Sequence, residues 1–473
     1  MVAVALHWRW TGWQASSSTS AAAPPPPPPP PPPTPFPPPL YAWGVADDGR
    51  LGVDPTTLTD ETDTVGAAAH TPTRVFGLHG VGVAAAAAGA GHSLVLDTTG
   101  VVWSWGLGGD GQLGHGDWAS DWVPRPLPSA ALGGDAAGGV VAIAAGARHS
   151  LVATADGGVW AFGSNVAGQL GLTSAVGGDN GDGGSGNGSG WRSTFFGARA
   201  PRSVATPTRI HGLAAVPIVS VAAGDAFSVA LSADGGVYTF GASESGQLGH
   251  GLPPGARSLW VPLPSLVPAA GAAAAPRRVR SLAGEAVAAV AAGPAHAVAL
   301  TRDGEALSWG AGRGWAHAAP GAGEADAGEP APVAGLAGVA VAKVSPGGAH
   351  TLALTTGGEV LAWGADPAGC LGRGTTGTVD PAGLPSAAPP PAWEARGGEV
   401  TPVPLPTAAV DVAAGWGFGL AVTRGGAAYA WGGGGGGVLG HGDATDRWAP
   451  ARVAGGVGPL RRVTAGFAHV LAF

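Results

Sequence analysis

The sequence predicts an all-β fold, a seven-bladed β-propeller with four antiparallel strands per blade. Two observations point there. First, six glycines in small-residue runs are each followed, 16 residues later, by an aromatic residue that is itself followed by glycine: Gly89/Trp105, Gly146/Phe162, Gly224/Phe240, Gly293/Trp309, Gly347/Trp363 and Gly415/Trp431. Second, each end of the chain carries half of one more copy: Trp43-Gly44 near the start and Gly466 near the end. Self-similarity at a period of tens of residues is the signature of a repeat architecture, and seven small sheets arranged radially leave few exposed edges.

One unit shows how the strands are read. Val140 to Ala145 is a small, β-prone run ending at Gly146; His149 to Ala153 is a second, ending at the turn Ala155-Asp156-Gly157; Val159 to Phe162 is a third, closed by Gly163. Short β-prone runs joined by Asp-Gly turns form an antiparallel meander. A fourth strand fits the segments approaching Val75, Ile210 and Val453. The Ala and Val of the first run suit the strand nearest a crowded central axis. The glycine-to-aromatic interval never changes, whereas the aromatic-to-glycine interval runs from 35 residues (Trp431 to Gly466) to 62 (Phe162 to Gly224). Packed hairpins resist insertion and loops accept it. The extra residues are read as loops at Gly177 to Gly190, Pro253 to Ala275, Ala316 to Pro332 and Arg373 to Gly398. Ala468 to Phe473 is a second strand without its hairpin partner, and Leu40 to Gly44 a third strand without a predecessor; joining them makes a composite closure blade.

The domain reading is therefore a leader at 1–40 and a propeller at 41–473. Pro24 to Pro33 is an unbroken proline run, an extended polyproline II spacer without a packed core. Ahead of it, 23 residues lack acidic groups and hold Trp8, Arg9, Trp10 and a Ser/Thr cluster. They are read as a disordered leader, with an organelle transit peptide as the alternative.

Composition narrows the function. Net charge is -8, the pI is near 5.9, and Lys343 is the sole lysine, a balance unsuited to neutralising nucleic-acid phosphates. Cys370 is the sole cysteine, which excludes an internal disulfide and a cysteine metal cluster. The most apolar stretch, Ala286 to Leu300, holds Pro294 and His296 and is too short to span a membrane. No Gly-Lys-Ser/Thr phosphate loop occurs, since Lys343 lies in Ala342-Lys343-Val344. His92, His149, His296, His350 and His469 recur in the repeat, with Phe227 and Phe418 in the other two copies. Metal ligands must converge on one ion, and ring symmetry spreads these positions apart. They are read as buried histidines bonding backbone near the glycine turn, and Gln112, Gln169 and Gln247 as residues that lock their loops. No catalytic, cofactor-binding or metal residue is assigned, and no cofactor is expected.

After the aromatic-glycine pair comes a second signature: Gly111-Gln112-Leu113-Gly114, Gly168-Gln169-Leu170-Gly171 and Gly246-Gln247-Leu248-Gly249. Looser forms start at Gly49, Gly369 and Gly437, and the fifth unit, after Trp309-Gly310, has none. Together with Ala-Ala-Gly-x-x-His-Ser and Trp-Gly, these motifs closely resemble the regulator of chromosome condensation repeat family over residues 41 to 473. That family includes a nucleotide exchange factor for the Ran GTPase, a plant ultraviolet photoreceptor and propeller modules of ubiquitin ligases. The photoreceptor's Gly-Trp-Arg-His clusters are not reproduced: the comparable positions hold Ala90, Ala147, Asp225, Pro294, Gly348 and Trp416.

The resulting expectation is a monomeric intracellular scaffold, cytoplasmic or nuclear, that binds other proteins and is not an enzyme. The alternative is an exchange factor for a small GTPase, which works by stabilising the nucleotide-free form and needs no acid, base or nucleophile. The candidate contact is the loop holding Asp117, Trp118 and Asp121. Its counterpart, Asp443 to Trp448, has Ala444 in place of Trp118, so no repeat rule demands an aromatic there. Trp122 and Trp448, two residues before Pro124 and Pro450, are read as structural.

Overall fold

Small-residue runs, hairpin turns and aromatic-glycine pairs fold as the pattern requires. The computed structural model describes residues 37–53, 67–134, 139–173, 201–252, 273–311, 326–348, 350–374 and 399–473; the proline run and the leader before it lie outside them. Seven four-stranded antiparallel sheets form the blades of a propeller. In blade 1 the strands, from axis to rim, are Val83–Ala88, His92–Asp97, Val102–Gly106 and Asp121–Pro126. Blades 2 to 6 repeat this order, beginning at Val140, Ile218, Val287, Val341 and Ala409. The closing blade takes its inner strands, Val463–Ala465 and His469–Ala472, from the end of the chain. Its outer strands, Tyr41–Val45 and Ala68–Arg74, come from the beginning. Inner strands touch in ring order, and the last, Val463–Ala465, meets the first, Val83–Ala88.

Register explains the invariant interval. His92 pairs across its hairpin with Gly106, and His149, Phe227, His296, His350 and Phe418 pair with Gly163, Gly241, Gly310, Gly364 and Gly432. His469 pairs with Gly44 in the same way, although no turn joins their strands. The aromatic-neighbouring glycine is required at this crossing: Gly106 has φ +105°, and a Cβ there would lie 2.5 Å from Gly91 O. The aromatics themselves are the largest fully buried side chains, among them Trp43, Trp105, Trp309, Trp363 and Trp431.

The repeat glycine at the end of each inner strand has a different reason, which lies between blades. A Cβ on Gly146 would lie 2.5 Å from the carbonyl oxygen of Gly224 in the next blade and 2.4 Å from the His149 ring. The same crowding recurs from Gly89 to Gly146, Gly347 to Gly415 and Gly466 to Gly89. Main-chain bonds stitch this inner rim, as Ala90 N donates to Gly146 O and Phe467 N to Gly89 O.

A meander sorts its connections by face. First-to-second turns and third-to-outer loops emerge on one face, here called the long-loop face. Second-to-third turns and the links to the next blade emerge on the other, the turn face. Every long insertion read from the sequence falls, in chain order, between a third strand and an outer strand. Two of those loop readings are corrected at their ends: the outer strands Ala273–Arg278 and Ala327–Pro332 begin inside segments read as loop. Their Ala, Gly and Pro content hid them, which an outer strand pairing on one edge tolerates. Among the described residues no helix is long and apolar enough to cross a membrane.

Candidate interaction surface

Blade interfaces are held by one recurring main-chain acceptor. In the Gly-x-Leu-Gly turn, the leucine is buried and the carbonyl of x faces the next blade. Arg50 O accepts from Ser93 Oγ (2.8 Å) and Trp105 Nε1 (2.9 Å). Gln112 O accepts from Ser150 Oγ and Gln169 O from Ser228 Oγ. Gln247, Cys370 and Val438 carbonyls accept from Trp309, Trp431 and Trp43. Because the carbonyl does this work, the side chain at x is free to vary, which explains the looser forms of the signature. Where x is glutamine, its Oε1 accepts a main-chain N–H two residues back, at Asp110, Ala167 and Ser245, so the loop-locking reading holds. Trp363 Nε1 has no partner among the described residues, and it faces the blade that lacks the signature.

The recurring histidines are buried and structural, as expected, but their partner is corrected. They bond a hydroxyl of the next blade and not backbone: His92 to Ser150 at 2.9 Å, His149 to Ser228 at 3.0 Å, His296 to Thr351 at 3.2 Å and His469 to Ser93 at 2.9 Å. Since Ser93, Ser150 and Ser228 give their protons to carbonyls, the facing Nε2 must carry a hydrogen, which fixes the neutral tautomer. Burial holds His92, His149 and His350 down to about 3. Where phenylalanine replaces histidine, the facing position has no hydroxyl: Phe227 shares its apolar cluster with Ala297, and Phe418 with Val470. His350 breaks the rule, because Gly419 stands opposite and neither ring nitrogen has a hydrogen-bond partner among the described residues. No three His, Cys, Asp or Glu side chains among the described residues converge as metal ligands.

On the long-loop face, the loop from Leu107 to Ser120 in blade 1 is built to hold one shape. Gly108 N donates to Ser120 Oγ (3.1 Å), and Gly108 sits so close to the Ala119 carbonyl that no side chain would fit. Gly116 N donates to Ala205 O of blade 2. Ser104 Oγ gives its proton to Leu113 O and accepts from His115. Asp117 Oδ1 accepts from Ala119 N, and its Oδ2 lies 3.3 Å from Arg125 Nη1. Asp121 holds the same guanidinium at 3.6 Å. The structure thus brings the three sequence-selected residues together, Asp117 and Trp118 in the loop and Asp121 at the start of the outer strand, with divided tasks. Asp117 and Asp121 clasp Arg125 and shape the loop, while Trp118 stands 42% exposed. The counterpart loop repeats the frame: Thr445 N donates to Asp443, Arg447 clasps Asp443, and Gly434 N donates to Asp446.

Trp448 is half-buried against Gly369. Trp122 backs onto Gly49 of the closing blade in the same manner, yet its outer side is 42% exposed beside Val123 at 43%. A structural role for Trp122 is therefore only half of its environment. Sequence reasoning weighed Trp416 only against the photoreceptor's clusters and did not pair it with Phe467; their rings lie 4.5 Å apart near the axis on the same face. Both directly follow a repeat glycine in adjacent blades, and that shared position was the available signal.

The family model described as regulator of chromosome condensation (RCC1) repeat matches residues 39–96, 99–153, 156–231, 234–300 and 425–473. A second model of the repeat matches 83–112, 140–169, 218–247 and 341–370. The chain belongs to the regulator of chromosome condensation repeat family. It is similar to the human E3 ubiquitin-protein ligase HERC2, 31% identical over 323 residues, which is 67% of this chain and 5% of that protein's length. It is also similar to the Arabidopsis thaliana ultraviolet-B receptor UVR8, 29% identical over 417 residues, 86% of this chain and 76% of that one. Among solved structures, Prp20p from Saccharomyces cerevisiae superposes with a TM-score of 0.68 at 22% identity, covering 93% of this chain and 92% of that chain. Human WBSCR16 gives 0.66 at 23%, covering 92% and 98%. Both share the fold.

Proposed function

We propose that this member of the repeat family is a protein-interaction scaffold that takes a partner on its long-loop face, with Trp118 as an anchor. One observation carries the reading: in a loop whose carboxylates, hydroxyl and glycines are committed to holding its shape, the indole of Trp118 has no such task and faces outward. A rigid, exposed aromatic surrounded by polar groups is the usual form of an interface anchor. Capture of partners from cell extract by wild type and Trp118→Ala tests this. Loss of a specific partner supports the reading, and an unchanged partner set contradicts it.

A second reading, nucleotide exchange on a small GTPase, draws on the similarity to Prp20p, whose structure is described together with its binding to Gsp1p and histones. Release of labelled GDP from a panel of small GTPases distinguishes the two. Acceleration by micromolar protein would replace the scaffold reading with exchange.

A further inference from the structure

Outer strands of several blades end in an arginine placed opposite an aromatic residue of the third strand. Arg209 lies opposite Trp160, Arg278 opposite Tyr238, Arg452 opposite Tyr429 and Arg74 opposite Tyr41. In blades 2 and 3 this arginine is neutralised within its own blade. Arg209 pairs with Asp156 at 3.4 Å and Arg278 with Asp234 at 3.9 Å, each aspartate sitting in the second-to-third turn. Blade 6 reverses that arrangement. Its turn reads Thr423-Arg424-Gly425-Gly426, so Gly425 stands where the aspartate would be and Arg424 adds a second cation. The closing blade has no such turn, because its second and third strands come from opposite ends of the chain.

Four exposed arginines, Arg74, Arg424, Arg452 and Arg461, therefore gather on the turn face of two adjacent blades, and none forms a side-chain ion pair among the described residues. Backbone contacts place them together. Leu460 N donates to Gly426 O, Arg461 N donates to Phe473 O, and Tyr41 pairs with Ala472, which in turn pairs with Val463. Of the described side-chain carboxylates of these blades, Asp47, Asp48, Asp443 and Asp446 are on the long-loop face, and Asp411, near the turn face, is buried and paired with Lys343.

We propose that this patch is a docking site for a short acidic segment of a partner protein. Guanidinium groups match carboxylates in geometry as well as charge. Within the closing blade, from Arg461 to Arg74, the patch crosses four strands, roughly 15 Å, the span of about five extended residues. On the same face the adjacent blade 5 exposes Glu359, and beyond it blade 4 exposes Asp303 and Glu305 beside Arg302. A long polyanion such as nucleic acid would run onto those carboxylates, and a short acidic segment would not.

Fluorescence anisotropy with a labelled glutamate hexapeptide and the full chain tests the proposal. Arg424→Ala/Arg452→Ala/Arg461→Ala is expected to weaken binding about tenfold or more, from three lost surface charge contacts. Arg209→Ala/Arg278→Ala, which removes arginines already paired in their blades, is expected to leave binding within about twofold. Added salt should weaken the wild-type complex. Absence of peptide binding, equal binding by the triple variant, or arginine-dependent preference for a single-stranded hexanucleotide over the peptide would each overturn it.

Discussion

Histidines at the blade interfaces are neutral because burial opposes their charged form, and this gives the protein a specific acid sensitivity. His92, His149 and His350 have folded values of about 3, against an ordinary 6.5. Below about pH 6.5 the unfolded chain takes up protons that the folded chain refuses. Stability is therefore full above that point and falls as pH drops toward 3, by about 1.4 kcal/mol per pH unit for each histidine. Denaturant midpoints compared at pH 7 and about pH 5.5 check this, and equal midpoints would contradict it. The shared carbonyl yields a second expectation. Replacing His469 and Ser93 by Phe and Ala leaves Arg50 O bonded to Trp105 Nε1, so stability at pH 7 should change little. The same exchange at His92 and Ser150 leaves Gln112 O without a donor, because Phe162 has no N–H to offer. That variant should be less stable than the first by about 1–3 kcal/mol, measured by denaturant unfolding.

Hairpins and loops divide the labour at the scale of elements. Gly146→Ala drives a methyl into the next blade's main chain and into the His149 ring, so it should cost roughly 3 kcal/mol, the upper range for overpacking. Trp105→Ala empties a fully buried site and should cost about 3–5 kcal/mol. Trp118→Ala should leave the melting temperature nearly unchanged while removing about 2 kcal/mol or more of partner binding. The hairpins were legible in the sequence because one register, with its glycine opposite His or Phe, permits no insertion. The loop of Trp118 was legible by comparison with Ala444 in its counterpart. The histidine partners were not, since His92 and Ser150, or His149 and Ser228, meet across a blade interface with no constant separation along the chain. Nor was the half-exposed state of Trp122, which depends on how the closing blade presents Gly49.

A fixed platform of loops exists only if the whole ring is closed, so the account rests on the blade shared by the two ends of the chain. An open ring would let neighbouring blades separate, and loops from different blades would no longer hold one geometry. Tyr41–Val45 pairs with His469–Ala472 through the same His-to-Gly crossing as every hairpin. In addition, the Asp411 carboxylate, held by Lys343, accepts Val463 N and ties the short inner strand of the closing blade to blades 5 and 6. Hydrogen exchange followed by mass spectrometry, comparing the full chain with one lacking residues 467–473, tests closure most directly. Closure by the shared blade predicts that protection collapses at Tyr41–Val45 and Ala68–Arg74 and weakens at Val83–Ala88, far away in sequence from the deletion. Unchanged protection at Tyr41–Val45 in the shortened chain would contradict it.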